Sequence, residues 1–334
     1  MTQQPEAGAS QAGLPTAWTC TGVSWRGGHP SLTMIDRSGH ELAHALRRGD
    51  PFGLRITAPR RCVGLWRGSR RSCPFDALIA ATGSSPQCDA CAAADPGRAL
   101  ARDATVDDRD FRLYVATFGA DALKVGISAL ERGDERLLEQ GALAFTWIAQ
   151  GSHRVIRAAE TAIAAAGLAP ERRRRSTKVA GWHTHSTPED RRAALEKVAA
   201  AAHRLPTWPT HAQHTPVEVV DHAALYDLAE LPKRLDDVDH LGVNATLAGR
   251  IRSVIGTELV LDPYTNSPSA NSPGANSSGT NSSGTRGLLV SGRMLAGWPI
   301  TPATGLPGAG PIGYRTRPVR ATAAQAGDAT PALF

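Results

Sequence analysis

Four of the chain's five cysteines, Cys62, Cys73, Cys88 and Cys91, fall within one stretch of thirty residues. The segment that holds them, 61–95, is polar and rich in Gly, Ser and Arg. It has too little apolar surface to offset the entropy of ordering its backbone. Such a segment takes a fixed shape when a metal replaces the missing core, and tetrahedral thiolate ligation of zinc does this. The last two cysteines form a C-x-x-C, and Cys73-Pro74 marks a turn. In a cytoplasmic chain this clustering favours zinc over disulfides. The irregular gap between Cys62 and Cys73 leaves a redox C-x-x-C and unrelated free thiols open. Structural zinc ranks first because two more cysteines precede the C-x-x-C in the same polar segment. Cys20 is left over as a buried or free thiol.

The next informative stretch runs from Arg112 to Glu160. Leu113–Phe118 and Ala122–Ile127 have strand character, and Gly119-Ala120-Asp121 between them is turn chemistry, so they predict a β-hairpin. Ser128 is placed to cap a helix carrying Arg132 and Arg136 one turn apart. A second helix, SHRVIRAAETAIAAAG, carries Glu160. Taken singly, each polar residue has a plain structural role. Tyr114 suits a half-buried strand position, Lys124 blunts a sheet edge, and Arg136 and Glu139 pair on a helix surface. Glu160 differs, because Ile156, Glu160 and Ile163 share one helical stripe and a buried carboxylate needs a cation or a metal. Brought together, a phenol, an ammonium, a guanidinium and a carboxylate make the kit of a phosphodiester nuclease.

The spacing Tyr114, nine residues, Lys124-Val125-Gly126, then a downstream Arg and a helical Glu resembles the GIY-YIG endonuclease superfamily, in the variant with lysine at the second tyrosine. More narrowly, KVGIS followed by an arginine, then EQGA, with four cysteines upstream, resembles the bacterial domain of unknown function 2797, over roughly Cys62 to Trp182. The resemblance implies a metal-dependent nuclease. Tyr114 would activate water or relay its proton, Lys124 would polarise a phosphate or the phenol, Arg136 would stabilise transition-state charge, and Glu160 would hold magnesium or a similar divalent cation. Tyrosine is a poor base at neutral pH, with an unperturbed pKa of ~10, so Lys124 or metal-bound water must assist. The chain departs from the pattern at three places: RLY replaces GIY, Ala129 stands where relatives often have a basic residue, and Thr177-Lys178 replaces a Thr-Asn pair. The reading requires the four polar side chains to meet in one pocket on the face of a small sheet.

Arg172, Arg173, Arg174, Arg175 and Lys178 put five cations within seven residues. With Arg132 they are candidates for tracking a nucleic-acid backbone, DNA or RNA, without reading bases; a solvated basic loop accounts for them equally well. The net charge of +6 over 334 residues is modest, and arginine-rich, lysine-poor usage is what a GC-rich genome produces. Aromatic residues make up 5% of the chain, which argues against extensive base-stacking platforms. No apolar run reaches the ~20 residues of a membrane span, and the first residues lack a secretory core, so a cytoplasmic protein is expected.

The whole reads as α+β: a small GIY-YIG-like sheet flanked by helices over 110–182, the zinc segment over 61–95, and β-rich units over 15–60 and 241–298. A helical segment spans 187–235, with Thr187-Pro188-Glu189-Asp190 opening a helix whose stripe is Ala194, Leu195, Val198, Ala199 and Ala202. His40–Arg48 reads as a short helical piece or loop, and Asp221–Glu230 as a further helix. Four NSPSA-like pentapeptides make 265–286 a flexible insertion in a hairpin. Residues 1–14 and 299–334 read as disordered tails. GVSWRGGHPSLTMID near the start echoes GRIRSVIGTELVLD near the end, so the terminal β units are expected to pack together. Two other functions remain open: a non-catalytic nucleic-acid-binding module on the same scaffold, and a protein-interaction role.

Overall fold

The computed structural model describes residues 18–264, 286–303 and 314–319, apart from positions 84, 103, 106, 121 and 185. The expected tail over 1–14, nearly all of the 265–286 insertion and much of 299–334 lie outside the described residues.

The N-terminal unit holds β1 (Trp18–Arg26), β2 (His29–Ile35) and β3 (Glu41–Ala45), which form a meander, and β4 (Pro51–Ile56), which lies between β13 and β16. Gly27 and Gly28, at φ 54° and 79°, supply the tight turn between the first two strands. The expected helix or loop at His40–Arg48 is instead the strand β3, paired with β2 from Ser31↔Ala45 to Ile35↔Glu41. All five of its residues are exposed, so no burial period marks it in the sequence, and pairing with β2 decides its shape. Next come the short strands β5 (Leu65–Arg67) and β6 (Ser69–Arg71) and the helices α1 (Asp89–Ala94) and α2 (Pro96–Ala101).

The central unit opens with the predicted hairpin, β7 (Asp110–Thr117) and β8 (Leu123–Ala129). Ser128 lies inside β8 and caps nothing. A 3-10 turn, Leu130–Arg132, and Gly133 at φ 47° separate it from α3 (Glu135–Gln140), so Arg132 and Arg136 do not share a helix. β9 (Ala144–Ser152), unassigned from the sequence, pairs with β7 along its length. It is followed by α4 (His153–Ala165), α5 (Arg175–Gly181) and α6 (Pro188–His203). Thr187 caps α6 in a reciprocal box with Asp190, as its sequence predicts. β10 (Gln213–His214) and β11 (Val219–Asp221) both pair with β9. The helix expected at Asp221–Glu230 is two 3-10 turns, Ala223–Tyr226 and Leu228–Glu230, split by Asp227 in the left-handed region.

The C-terminal unit holds β12 (Arg234–Leu241), β13 (Thr246–Ile255), β14 (Glu258–Pro263), β15 (Arg286–Ser291), α7 (Gly292–Leu295), β16 (Pro299–Pro302) and β17 (Tyr314–Pro318). β15 pairs with β14 from Glu258↔Ser291 inward, the pairing the sequence suggests across the insertion. Two terminal units join in one ten-stranded sheet of order β17-β12-β15-β14-β13-β4-β16-β1-β2-β3. The two echoing sequences are its hairpins β1–β2 and β13–β14, each with a bulge in its first strand. β16 and β17 correct the expected disorder from residue 299 onward. Trp298 and Ile300 are buried where β16 inserts between β4 and β1, a burial that the surrounding Pro, Gly and Thr conceal.

Packing separates the central sheet into two faces. Leu113, Val115, Ile156 and Ile163 share one core, with α4 and α6 against the sheet. Tyr114, Ala116, Phe118 and Leu137 form a smaller cluster on the other face, as the two-residue period of a strand requires. β8 is an edge strand of this sheet, with β10 and β11 at the opposite side.

Candidate functional site

The sulfurs of Cys62, Cys73, Cys88 and Cys91 lie within 4.8 Å of one another, a geometry that could hold a metal ion such as zinc. The chain between the first two cysteines is the β5–β6 hairpin, which accounts for the irregular gap. Cys62 Sγ accepts the backbone N–H groups of Gly64 at 3.4 Å and Cys88 at 3.2 Å. Gly64 has φ 72°, and a Cβ there would lie 1.8 Å from the Arg71 carbonyl oxygen, so the crossing of the hairpin base requires glycine. Burial pushes the thiols of Cys62 and Cys91 up. A divalent cation reverses that preference by supplying the opposite charge. Cys20 stays apart, fully buried, its thiol raised to about 12 by burial.

Tyr114, Lys124, Arg136 and Glu160 all line one cleft of about 1260 Å³. Lys124 Nζ donates to the Tyr114 hydroxyl at 2.7 Å, and Gln140 Nε2 donates to it at 2.8 Å. Gly126 stands opposite Tyr114 in the hairpin, and a Cβ there would lie 2.2 Å from the phenol oxygen and 2.7 Å from Lys124 Nζ. The glycine of the Lys-Val-Gly motif therefore clears space for the tyrosine–lysine contact. Gly126→Ala is expected to break that contact and to lower stability by about 1–3 kcal/mol through overpacking, read as a drop in urea midpoint.

Glu160 is 5% exposed. Burial raises its pKa, with Glu171 adding to the rise, while Arg157 and Lys124 pull it down. Arg157 pairs with both Glu160 and Glu171. The expected pocket on one sheet face is thus corrected: Tyr114 comes from one face, Glu160 from the helix on the other, and their cleft borders the edge strand. Lys124 interacts with both groups, hydrogen-bonded to the phenol and electrostatically favouring the carboxylate.

The basic run does not act as a unit. Arg172 lines the cleft, whereas Arg173 Nε donates to the Leu123 carbonyl at 2.7 Å. Arg174 is exposed just before α5. Arg175 forms a bidentate pair with Asp237 and also binds Glu258. Arg132 lines the cleft and pairs with Glu139 at 2.8 Å. Lys178 is largely drawn inward: its ammonium donates to the Gln140 carbonyl at 2.9 Å and lies 3.9 Å over the Phe118 ring. The amide that the resemblance expects there is replaced by an ammonium donor. Burial, aided by Lys124, Arg293 and Arg136, lowers the Lys178 pKa to about 7.

That shift has a sign. Between about 7 and 10.5 the unfolded chain binds the Lys178 proton more fully than the folded one, so stability rises with pH across this window. The slope from one such proton is at most about 1.4 kcal/mol per pH unit. Lys178→Met is expected to flatten it, measured as urea-unfolding free energy at pH 7, 8, 9 and 10.

Gln140, Arg157 and Glu171 were not singled out as site residues from the sequence. Gln140 was visible only within the EQGA motif, and the placement of Arg157 one helical turn before Glu160 was the available signal for its role.

No curated protein and no solved structure matches the chain. A family model described as "Protein of unknown function (DUF2797)" matches residues 50–265, which takes in the four cysteines, the Tyr114–Glu160 stretch and the strands through β14. The chain belongs to the DUF2797 family.

Proposed function

We propose that the cleft hydrolyses nucleic-acid phosphodiesters with a divalent cation, as the resemblance to GIY-YIG nucleases implies. The observation that carries the reading is that Tyr114, Lys124, Arg136 and Glu160 all line one cleft although Glu160 arrives from the opposite sheet face, so the cleft at the sheet's edge stands in for the single-face pocket that the sequence requires, with the phenol and the ammonium in contact. Arg136 supplies positive charge for the phosphate, and Arg132 and Arg172 extend it along the wall. Lys124 orients the Tyr114 oxygen, which takes a proton from water or passes one on. Glu160 and Glu171, which share Arg157, form a carboxylate pair of the kind magnesium takes when phosphates and waters complete its shell. Bound there, the cation would polarise the phosphate and acidify a water. Zinc at the four cysteines has a structural role in this scheme, with all four positions taken by protein.

A second reading, nucleic-acid binding without hydrolysis, draws on the Arg157–Glu160 pair, which already neutralises the carboxylate. One experiment separates the two. The full-length protein is incubated with single-stranded, branched and duplex DNA and RNA, with and without magnesium, beside Glu160→Ala and Tyr114→Phe. Hydrolysis predicts magnesium-dependent cleavage, lost in Glu160→Ala and reduced about 10²–10⁴-fold in Tyr114→Phe. Salt-sensitive affinity with no cleavage by the wild type would support the binder. Neither cleavage nor affinity would overturn both.

A further inference from the structure

The β5–β6 hairpin does more than connect two cysteines. Trp66 is 44% exposed, unusual for an indole, and it lines the same cleft as Tyr114 and Glu160. The Arg70 guanidinium lies 5.9 Å from its ring centroid, and Arg70 is itself paired with Glu41 of β3 at 3.1 Å. Arg67 also lines the cleft and donates to the Ala94 carbonyl at the end of α1. The hairpin is anchored at both ends, since Cys62 precedes it and Cys73 follows it in the sulfur cluster. An exposed aromatic on a short hairpin turned at the single residue Gly68 would ordinarily move freely. This one is held by the sulfur cluster, by an arginine and by a neighbouring strand.

We propose that Trp66 is a stacking platform for one unpaired base, and that the cleft takes single-stranded rather than duplex nucleic acid. This rests on the reading that the cleft accepts a phosphodiester chain. Single-strand sites combine a cationic groove for the backbone with aromatic faces for the bases. Here Arg67, Arg132, Arg136 and Arg172 provide the cations and Trp66 the face. In a duplex each base is already stacked on its neighbours, so an indole on the wall finds no free face. In a single strand the base can leave its neighbours and lie on Trp66 while its phosphate reaches Arg136. The platform discriminates by strandedness and reads no sequence, because every base has such a face.

The test is fluorescence anisotropy with the full-length protein, using labelled single-stranded DNA, single-stranded RNA and the matching duplexes, without magnesium. The proteins are wild type, Trp66→Ala and Trp66→Phe, each checked for unchanged far-ultraviolet dichroism and metal content. The wild type is expected to prefer one or both single strands over the duplexes. Trp66→Ala is expected to weaken single-strand binding about 5- to 150-fold, to leave the weak duplex binding unchanged, and to be largely rescued by Trp66→Phe. Equal affinity for duplex and single strand, or an unaffected Trp66→Ala, overturns the platform even if the protein cleaves. Trp66-dependent binding by a protein that never cleaves upholds the platform and removes the hydrolase. No binding to any strand overturns the platform.

Discussion

Metal analysis of the purified, untagged protein is expected to return one zinc per chain, and stripping that zinc is expected to unfold the segment from Cys62 to Cys91. The magnitude follows from what holds the segment. Its two strands have three residues each, and its helix α1 has six. Cys62, Val63 and Cys91 are buried there, but Trp66, Phe75 and Leu78 are exposed. Structural zinc in zinc-finger peptides contributes about 10–16 kcal/mol to folding, against about 5–15 kcal/mol for the net stability of an ordinary domain. No set of contacts in the segment can replace a term of that size. The two sheets have cores of their own and are expected to survive. Chelation should therefore leave most of the far-ultraviolet dichroism in place, while four thiols become reactive and the hairpin becomes sensitive to protease. Cys62→Ser should be the most damaging single change, because that sulfur also accepts two backbone N–H groups. Less than one metal per chain in a native protein, with all four thiols titrating freely, would rule the site out.

What could be read from the sequence, and what could not, divides along physical lines. The β7–β8 hairpin, α4 and α6 were legible because local signals agree: turn residues between strand runs, an apolar stripe around Glu160, a capping box at Thr187. The cysteine cluster was legible from residue type alone. β9 was missed although it contacts β7, β10 and β11, because ALAFTWIAQ has no alternation: a strand covered on both faces reads as a continuous apolar run. β3 is missed because it is short and exposed throughout, and β16 because it is short and its partners β1 and β4 lie far away in the chain. The candidate site shows the same split. That Tyr114 faces Gly126 follows from hairpin register, so the missing Cβ was implicit in the Lys-Val-Gly motif. That Tyr114 and Glu160 approach from opposite faces could not be read, because it depends on where the edge of the sheet falls. The basic run was the most misleading signal. Charge density along a sequence says nothing of which carboxylates fold onto it, and Arg175 meets partners 62 and 83 residues away.

Arg175→Ala is accordingly expected to damage the fold and not the binding of polyanions. The guanidinium reaches from α5 in the central unit to Asp237 on β12 and Glu258 on β14, with four contacts between 2.7 and 2.9 Å. Asp237 and Glu258 are 4% and 8% exposed. Removing the arginine would leave two buried carboxylates, with Arg317 still near Asp237 at 3.3 Å and Ser291 donating to Glu258 at 3.1 Å. Breaking a buried pair by deleting one partner costs about 3–5 kcal/mol. The partial exposure of Arg175 and the remaining partners place the expected loss near the lower end. Arg175→Lys should recover little, since an ammonium cannot reproduce the bidentate contact. In a double-mutant cycle, Asp237→Ala should cost less in the Arg175→Ala background than alone, because the charge it removes is then unpaired. Urea unfolding measures all four proteins, and nucleic-acid affinity is measured on the folded fraction. If the run from Arg172 to Lys178 were a continuous phosphate track, Arg175→Ala would lower affinity with stability unchanged. The buried carboxylates require the reverse, so the two measurements on this one variant decide whether residue 175 belongs to a binding surface or to the joint between the two sheets.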